Sequence, residues 1–354
     1  MHGMSPYLPI LIEALVKILA IIAVVMTGVA YTTLAERKVS AWMQDRKGPN
    51  RVGPYGLLQP VADGIKFFFK EDITPREAVK GFYLIAPMLT FIPALAAFAV
   101  VPFGTSISIG EKSYTLSISS MNVGILYLLS LSSLGVYGIL LAGWASGNKY
   151  SLMGSLRGAS QVISYELGIS LALLTVVMAA GTFDLRAIVD FQKTVGLWNI
   201  FNPLQIISFI VFIVAVFAET NRIPFDLPEG ESEIVGGYHT EYSGLRFAMF
   251  FMGEYANLIT ASAFVTCLFL GGWHLPFLNY EALARAGYAT LGGVISMAVF
   301  GIKVSFCLFV FIWVRWTLPR FRYDQLMSMG WKRLFPLALL NLVIFSTWLV
   351  FRAQ

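Results

Sequence analysis

The chain is poor in the residues that build metal and redox centres. Its 354 residues include two cysteines, Cys267 and Cys307, and three histidines, His2, His239 and His274. Both cysteines fall in apolar stretches without a second cysteine or a histidine at ligand spacing, so neither a disulfide framework nor a metal site is indicated. No glycine-rich nucleotide fingerprint occurs. Internal repeats are missing, which argues against the inverted-repeat plan of many transporters. The first residues, MHGMSPYLPILIEALVK, lack a basic region and a small-residue cleavage site. Residues 11–33 are therefore expected to be a retained span rather than a signal peptide. Charge is scarce, at 13% of residues.

Apolar residues dominate instead, at 57%, with a mean hydropathy of +0.72. This is the composition of an integral membrane protein. Apolar runs at 11–33, 83–103, 123–144, 160–181, 196–218, 245–272, 288–313 and 334–351 are each about the 17–25 residues a crossing helix needs. The expected fold is an all-α polytopic membrane protein with eight transmembrane helices. The net charge of +5 follows from its distribution and does not signal nucleic acid. With the N-terminus outside, the inner segments 36–80, 147–158, 219–244 and 315–333 hold 9, 2, 1 and 5 Lys/Arg. The outer segments hold only Lys112, Arg186, Lys193, Arg285 and Arg352. The positive-inside rule then puts both termini on the outer side.

The segment 36–80 is too long and too charged for a mere connector. It carries nine of the 25 basic and six of the 20 acidic residues. Rigid turns at Gly48-Pro49 and Gly53-Pro54-Tyr55-Gly56 precede an amphipathic run, 57–70, that suits a surface helix folded back on the membrane. A basic loop held against anionic lipid is the plainer reading. The interleaved acids Glu36, Asp45, Asp63, Glu71, Asp72 and Glu77 favour a site that holds a polar headgroup and passes protons.

Two further inner stretches stand out. In 219–254, Glu219 and Arg222 are one helical turn apart and can pair. Asp226, Glu229, Glu231, Glu233 and Glu241 follow as an acidic loop broken by Pro224 and Pro228. In 315–333, Arg315, Trp316, Lys332 and Arg333 read as snorkelling anchors and an aromatic belt. Asp324, beside Arg320, Arg322 and Tyr323, reads as a tie between loops.

Four ionisable residues lie inside spans: Lys17, Glu166, Glu254 and Lys303. Each costs about 2.5–3.5 kcal/mol at mid-helix and should face protein or water. Lys17 and Glu13 form an i, i+4 surface pair. Glu166 and Glu254 are either hydrogen-bonded packing groups or members of a proton relay. Their position on spans flanking the acidic loop favours the relay, with Glu219 extending the row. Tyr137, Ser164 and Tyr165 are candidate hydroxyl bridges.

Three long motifs carry a family resemblance: GPNRVGPYGLLQPVADGIKFFFKED, ETNRIPFDLPEGESE with the following EY, and PRFRYDQLMSMGWK. They resemble the membrane subunits at the heel of respiratory complex I. These are the H subunit of bacterial NADH:quinone oxidoreductase and its mitochondrial counterpart, the first membrane subunit of NADH dehydrogenase. The likeness runs from the first span to the last. It implies an eight-helix subunit joining the hydrophilic arm to the antiporter-like membrane arm in a bacterial inner membrane. Glu36, Arg37, Arg46, Asp63 and Glu71 would stand at the quinone chamber, with Trp42 and Phe67 as its apolar wall. Arg222, Asp226, Glu229 and Glu231 would form the coupling loop. Glu166, Glu219, Glu241, Glu254 and Lys303 would form the proton relay. Quinone is then the substrate. Flavin and iron–sulfur clusters belong to partners: the quinone-pocket and iron–sulfur subunits of the hydrophilic arm, beside small and antiporter-like membrane subunits.

The same residues leave two alternatives open. One is the homologous membrane subunit of a ferredoxin-, F420- or hydrogenase-type complex. The other is an independent ion transporter.

Overall fold

The computed structural model describes residues 8–109, 112–276, 280 and 289–353. The start of the expected 288–313 span, Arg285 and His2 lie outside the described residues. Twelve helices and one hairpin are resolved among the described residues. Helix α1 (Leu8–Met43) is followed by the surface helix α2 (Gln59–Phe69). Helices α3 (Lys80–Ala96), α4 (Gly124–Ala145) and α5 (Lys149–Ala180) come next. Then follow α6 (Leu185–Val195), α7 (Pro203–Glu219) and the single turn α8 (Glu231–Ile234). Helices α9 (Gly244–Phe269), α10 (Ala289–Thr317), α11 (Tyr323–Met329) and α12 (Phe335–Ala353) complete the chain. Strands β1 (Ser106–Ile109) and β2 (Lys112–Thr115) pair antiparallel between α3 and α4.

Seven helical segments are long and apolar enough to cross a membrane, and α7 is a shorter apolar helix of 17 residues. The fold is thus all-α and polytopic, with one expected span reduced. Asn202 caps α7, accepting from Leu204 N at 3.3 Å, and Pro203 opens it, so the helix starts seven residues later than the apolar run. At a rise of about 1.5 Å per residue it is only about 25 Å long. Its last residue, Glu219, therefore ends within the body of the bundle.

Two boundaries expected on the inner side also move. After Gly28 no glycine or proline occurs in α1 before the left-handed Asp45 (φ 56°), so the helix overruns its apolar part. Glu36, Arg37 and Trp42 therefore sit on a helix, not on the loop expected from residue 36. Residues 149–158 are likewise helical rather than looped. Asn148 accepts from Tyr150 N at 2.9 Å and starts α5 at once. The amphipathic run expected over 57–70 is α2.

The helices pack in a continuous chain of contacts. Helix α3 lies between α4 and α9, α4 against α5, α5 against α7 and α12, and α10 against α9 and α1. Side chains such as Phe212, Ile169, Leu173 and Phe269 are fully buried between them. Leu15, Ile302, Phe306 and Val350 point outward, the arrangement a lipid-facing surface requires.

Small residues set the closest approaches. A methyl at Gly138 of α4 would run into Thr90 Oγ1 and the Ala86 carbonyl of α3, whereas one at Gly135 would meet nothing within 4 Å. Gly138→Ala is expected to force α3 and α4 apart and lower stability by about 1–3 kcal/mol. Gly135→Ala is expected to leave it unchanged. Thermal melting of the two variants side by side checks this, and equal melting would refute the close-packing account.

Candidate functional site

The inner end of the bundle is built around Arg222, which follows α7 and is almost fully buried. Its Nη1 donates to Glu36 Oε2 of α1 at 2.9 Å. Its Nε lies 2.6 Å from Glu254 Oε1 of α9 but is misaligned for a hydrogen bond, so that contact is an ion pair. Arg315 of α10 binds the other Glu36 oxygen at 2.5 Å, and Tyr255 OH donates to Glu36 Oε2 at 2.7 Å. The Arg222 guanidinium also lies over the Tyr255 ring, 4.3 Å from its centroid. Two carboxylates thus face two guanidinium groups, a balanced set that buried charges need.

This overturns two expectations. Arg222 pairs with Glu36 and Glu254 rather than with Glu219. Arg315 is a half-buried partner of Glu36 rather than a snorkelling anchor. The sequence distance of 186 residues between Glu36 and Arg222 hides the first pairing from any local rule.

The 220–243 loop folds into the bundle instead of lying in water. Phe225, Leu227 and Tyr238 are buried, and Gln161 of α5 donates to the carbonyls of Ala218 and Phe225 at 2.7 Å each. Gly237 sits at φ +61° hard against the Pro228 carbonyl, where only glycine fits. The fold of this loop leaves a basin of about 730 Å³ lined by Asp226, Glu229, Glu231, Arg315, Trp316 and Arg320. Burial and the neighbouring Glu229 raise Asp226 to about 6. Burial alone would raise Glu229, but His239, Arg315 and Arg222 hold it below the usual carboxylate range. Its partner His239 rises above its ordinary value because Glu229, with Nε2–Oε1 at 3.4 Å, outweighs burial.

A second, apolar groove of about 480 Å³ runs between α1 and α10. Ala35, Val39 and Ile312 line its inner end, next to Glu36 in sequence and near Arg315. Arg315 therefore stands between an apolar groove and a polar basin.

The expected relay residues divide into four groups. Glu219 and Glu166 accept hydrogen bonds from Ser132 and Ser133, adjacent residues of α4. A cavity of about 80 Å³ borders Ser132, Glu219, Asn221 and Asn257, large enough for a few waters. Glu254 belongs to the Arg222 cluster, one turn from Asn257. Glu241 lies apart, accepting from Asn148 Nδ2 at 2.6 Å. Lys303 is elsewhere altogether: its Nζ donates to the Leu270, Gly272 and His274 carbonyls at 2.7, 2.9 and 2.7 Å. It caps the outer end of α9, sixteen residues or about 24 Å along that axis from Glu254.

The first-loop residues stand at the edge of the site. Arg37 Nη1 binds Asp63 Oδ2 at 2.5 Å, tying α2 to α1, and Phe67 packs on Phe247 of α9 at 6.2 Å. Trp42 is exposed. Arg46 and Glu71 make no side-chain ion pair among the described residues. None of the expected hydroxyl bridges reaches a carboxylate. Tyr165 OH donates to the Leu326 carbonyl, Ser164 to the Ser160 carbonyl, and Tyr137 is exposed. Asp324 pairs with Arg322 at 3.3 Å on the surface, while Arg320 turns to Glu233 at 3.4 Å. Ser132 and Ser133 were visible as an SS pair in an apolar run, but their partners were not.

Comparison with known proteins adds an independent finding. The family model for NADH dehydrogenase matches residues 16–346. The NADH-quinone oxidoreductase H subunit of Leptospira biflexa serovar Patoc is 48% identical over 344 residues, 95% of this chain and 94% of that protein. The protein of the same name from Syntrophotalea carbinolica is 48% identical over 350 residues, 99% of this chain and 100% of that protein. A Koribacter versatilis NADH-quinone oxidoreductase H subunit is 47% identical over 346 residues, 94% and 96% of the two chains.

The loop should respond to pH. A raised Asp226 contributes stability that is present below its ordinary value of 3.8 and lost as pH rises through about 6. The raised His239 acts in the same direction, its contribution lost as pH rises above its ordinary 6.5. Glu229 opposes them only below its ordinary 4.5. Hydrogen exchange of 223–242, corrected for intrinsic rates, should therefore show easier opening at pH of about 8 than at about 5. Asp226→Asn should remove the step near 6, and protection that rises with pH would contradict this account.

Proposed function

The chain belongs to the NADH dehydrogenase family, and we propose that it serves as the quinone-binding, proton-coupling membrane subunit of an NADH:quinone oxidoreductase. The observation that carries this reading is that an apolar groove ending at Ala35 and Ile312 comes within one helical turn of Arg315, which itself lines a charged basin and binds Glu36. A quinone has an apolar tail and a polar head, so its site must open to lipid and end among charges. The α1–α10 groove suits the tail, and the basin beneath the 220–243 loop suits the head. Electrons come from an iron–sulfur cluster of an adjoining subunit, and flavin and nucleotide chemistry lie further off in partners. Both termini face the outer side of a bacterial inner membrane, and the loops meet the hydrophilic arm on the inner side.

Coupling follows from shared ligands. Reduction of a quinone takes up two electrons and two protons, so the charge beside Arg315 changes during turnover. Arg315 and Arg222 share Glu36, and Arg222 also holds Glu254. A shift of either guanidinium towards the reduced head leaves a carboxylate short of its counter-charge, which then favours taking a proton. Glu254, the water-sized cavity and the serine-held Glu219 and Glu166 form the route by which that proton, or the charge it represents, moves laterally.

Two measurements on the assembled enzyme test this. Glu36→Lys puts three cations together and should lower quinone reductase activity by about tenfold or more, in line with loss of a buried charge partner. The NADH–ferricyanide reaction, which needs no quinone, should survive. Equal loss of both would mean an assembly role. Glu219→Gln keeps the shape and the Ser132 contact but cannot exchange a proton, and should reduce protons pumped per quinone reduced. Unchanged pumping and turnover would remove Glu219 from the relay.

A further inference from the structure

Beyond the α1–α10 groove, and sharing Val24, Phe103 and Met297 with it, a groove of about 750 Å³ opens on the outer half of α1, away from Arg315 and the polar basin. Ala20 and Val24 form one wall, Met297 of α10 the other, and Phe103 and Leu116 the floor. Glu13, Lys17 and Tyr114 stand at its polar end. The third wall is the β1–β2 hairpin, which is held rigidly. Thr290 Oγ1 donates to the Ser108 carbonyl at 2.6 Å, Thr105 N to Ser296 Oγ at 3.1 Å, and Arg186 Nη2 to the Thr105 carbonyl at 3.1 Å. The groove is thus a preformed feature of packed elements.

Its depth identifies what it faces. Lys17 lies nineteen residues from Glu36 on one unbroken helix, about 28 Å at the helical rise and close to one hydrocarbon thickness. With Glu36 near the inner boundary, Lys17 and Glu13 fall at the level of the outer headgroups. The apolar walls then extend about one leaflet inward from them. Lys17 Nζ is 2.8 Å from Glu13 Oε1, so the rim offers one cation and one anion side by side. Lys17 keeps two further N–H donors and Glu13 a free oxygen.

We propose that this groove binds a phospholipid with a zwitterionic, ammonium-bearing headgroup. One acyl chain lies along Ala20 and Val24 against Met297, the phosphate meets Lys17, and the ammonium meets Glu13. A neutral pair of opposite charges matches a headgroup that carries both signs, whereas an anionic lipid would satisfy Lys17 and be repelled by Glu13. The bound lipid would fasten α1, whose inner end carries Glu36, to α10, whose inner end carries Arg315.

Photolabelling in the whole enzyme tests this. The complex is placed in nanodiscs with a trace of phosphatidylethanolamine bearing a diazirine on its acyl chain, and labelled peptides are mapped. Labelling should concentrate on 103–117 and 289–301, and excess unlabelled phosphatidylethanolamine should compete about fivefold better than phosphatidylglycerol. Ala20→Trp fills the groove and should abolish that labelling. Glu13→Gln leaves the groove open and should bring phosphatidylglycerol to parity. Even labelling around the whole membrane belt would overturn the proposal, as would equal competition by the two lipids in the unaltered protein. Competition by a short-chain quinone would assign the groove to the redox substrate instead. NADH–ferricyanide activity and melting temperature confirm that each variant is folded.

Discussion

A guanidinium with almost no access to solvent has to be neutralised within the protein, and at Arg222 that demand organises the inner half of the molecule. Its two carboxylates come from α1 and α9, and a second arginine from α10 completes the balance. Three helices remote in sequence therefore have to meet at one point. Losing any one partner strands a buried charge, at a cost of about 3–5 kcal/mol. The same arrangement explains why the loop after α7 folds inward: its backbone positions Arg222, and Gln161 satisfies the carbonyls exposed by the end of the helix.

Elsewhere the bundle satisfies its buried polar groups without carboxylates. Lys303 gathers three carbonyls beyond the end of α9, where no further helical turn can satisfy them. Gln192 and Asn199 reach the Cys267 and Leu268 carbonyls near that end at 2.8 and 2.7 Å. Thr175, Ser208 and Asn341 link α5, α7 and α12, with contacts of 2.5 and 2.7 Å. These groups order the part of the bundle around the far end of α9, away from the Arg222 cluster. Because α7 is short, Glu219 ends inside the bundle, where Ser132 can reach it.

Much of this was legible in the sequence. Hydrophobic length located the spans, because a helix in lipid must satisfy its own backbone over a known thickness. Pro and Gly punctuation marked the inner loops, and an i, i+4 rule found Glu13–Lys17. The candidate carboxylates were visible as charges where charge is costly. Pairing was not. Arg222 lies one turn from Glu219, and local spacing joined them. The bundle instead delivers Glu36 and Glu254, which bind more closely because α1 and α9 both pack there. Arg315 looked like an interfacial anchor, since a basic residue at a span's end ordinarily snorkels, until α1 brought Glu36 beneath it. Lys303 and Glu254 looked alike as mid-span charges, yet Lys303 of α10 caps the end of α9 while Glu254 sits near the middle of α9 in the Arg222 cluster.

Composition and periodicity alone were enough to establish a helical membrane protein and to mark which residues were expensive enough to need a purpose. Those properties follow from chain-local costs: desolvation, backbone hydrogen bonding and helical length. Which charge meets which, where the grooves open, and that the acidic loop is a buried wall rather than a solvated surface were decided by the packing of helices distant in sequence. Electrostatic pairing depends on separation in space, and only the folded bundle sets that distance.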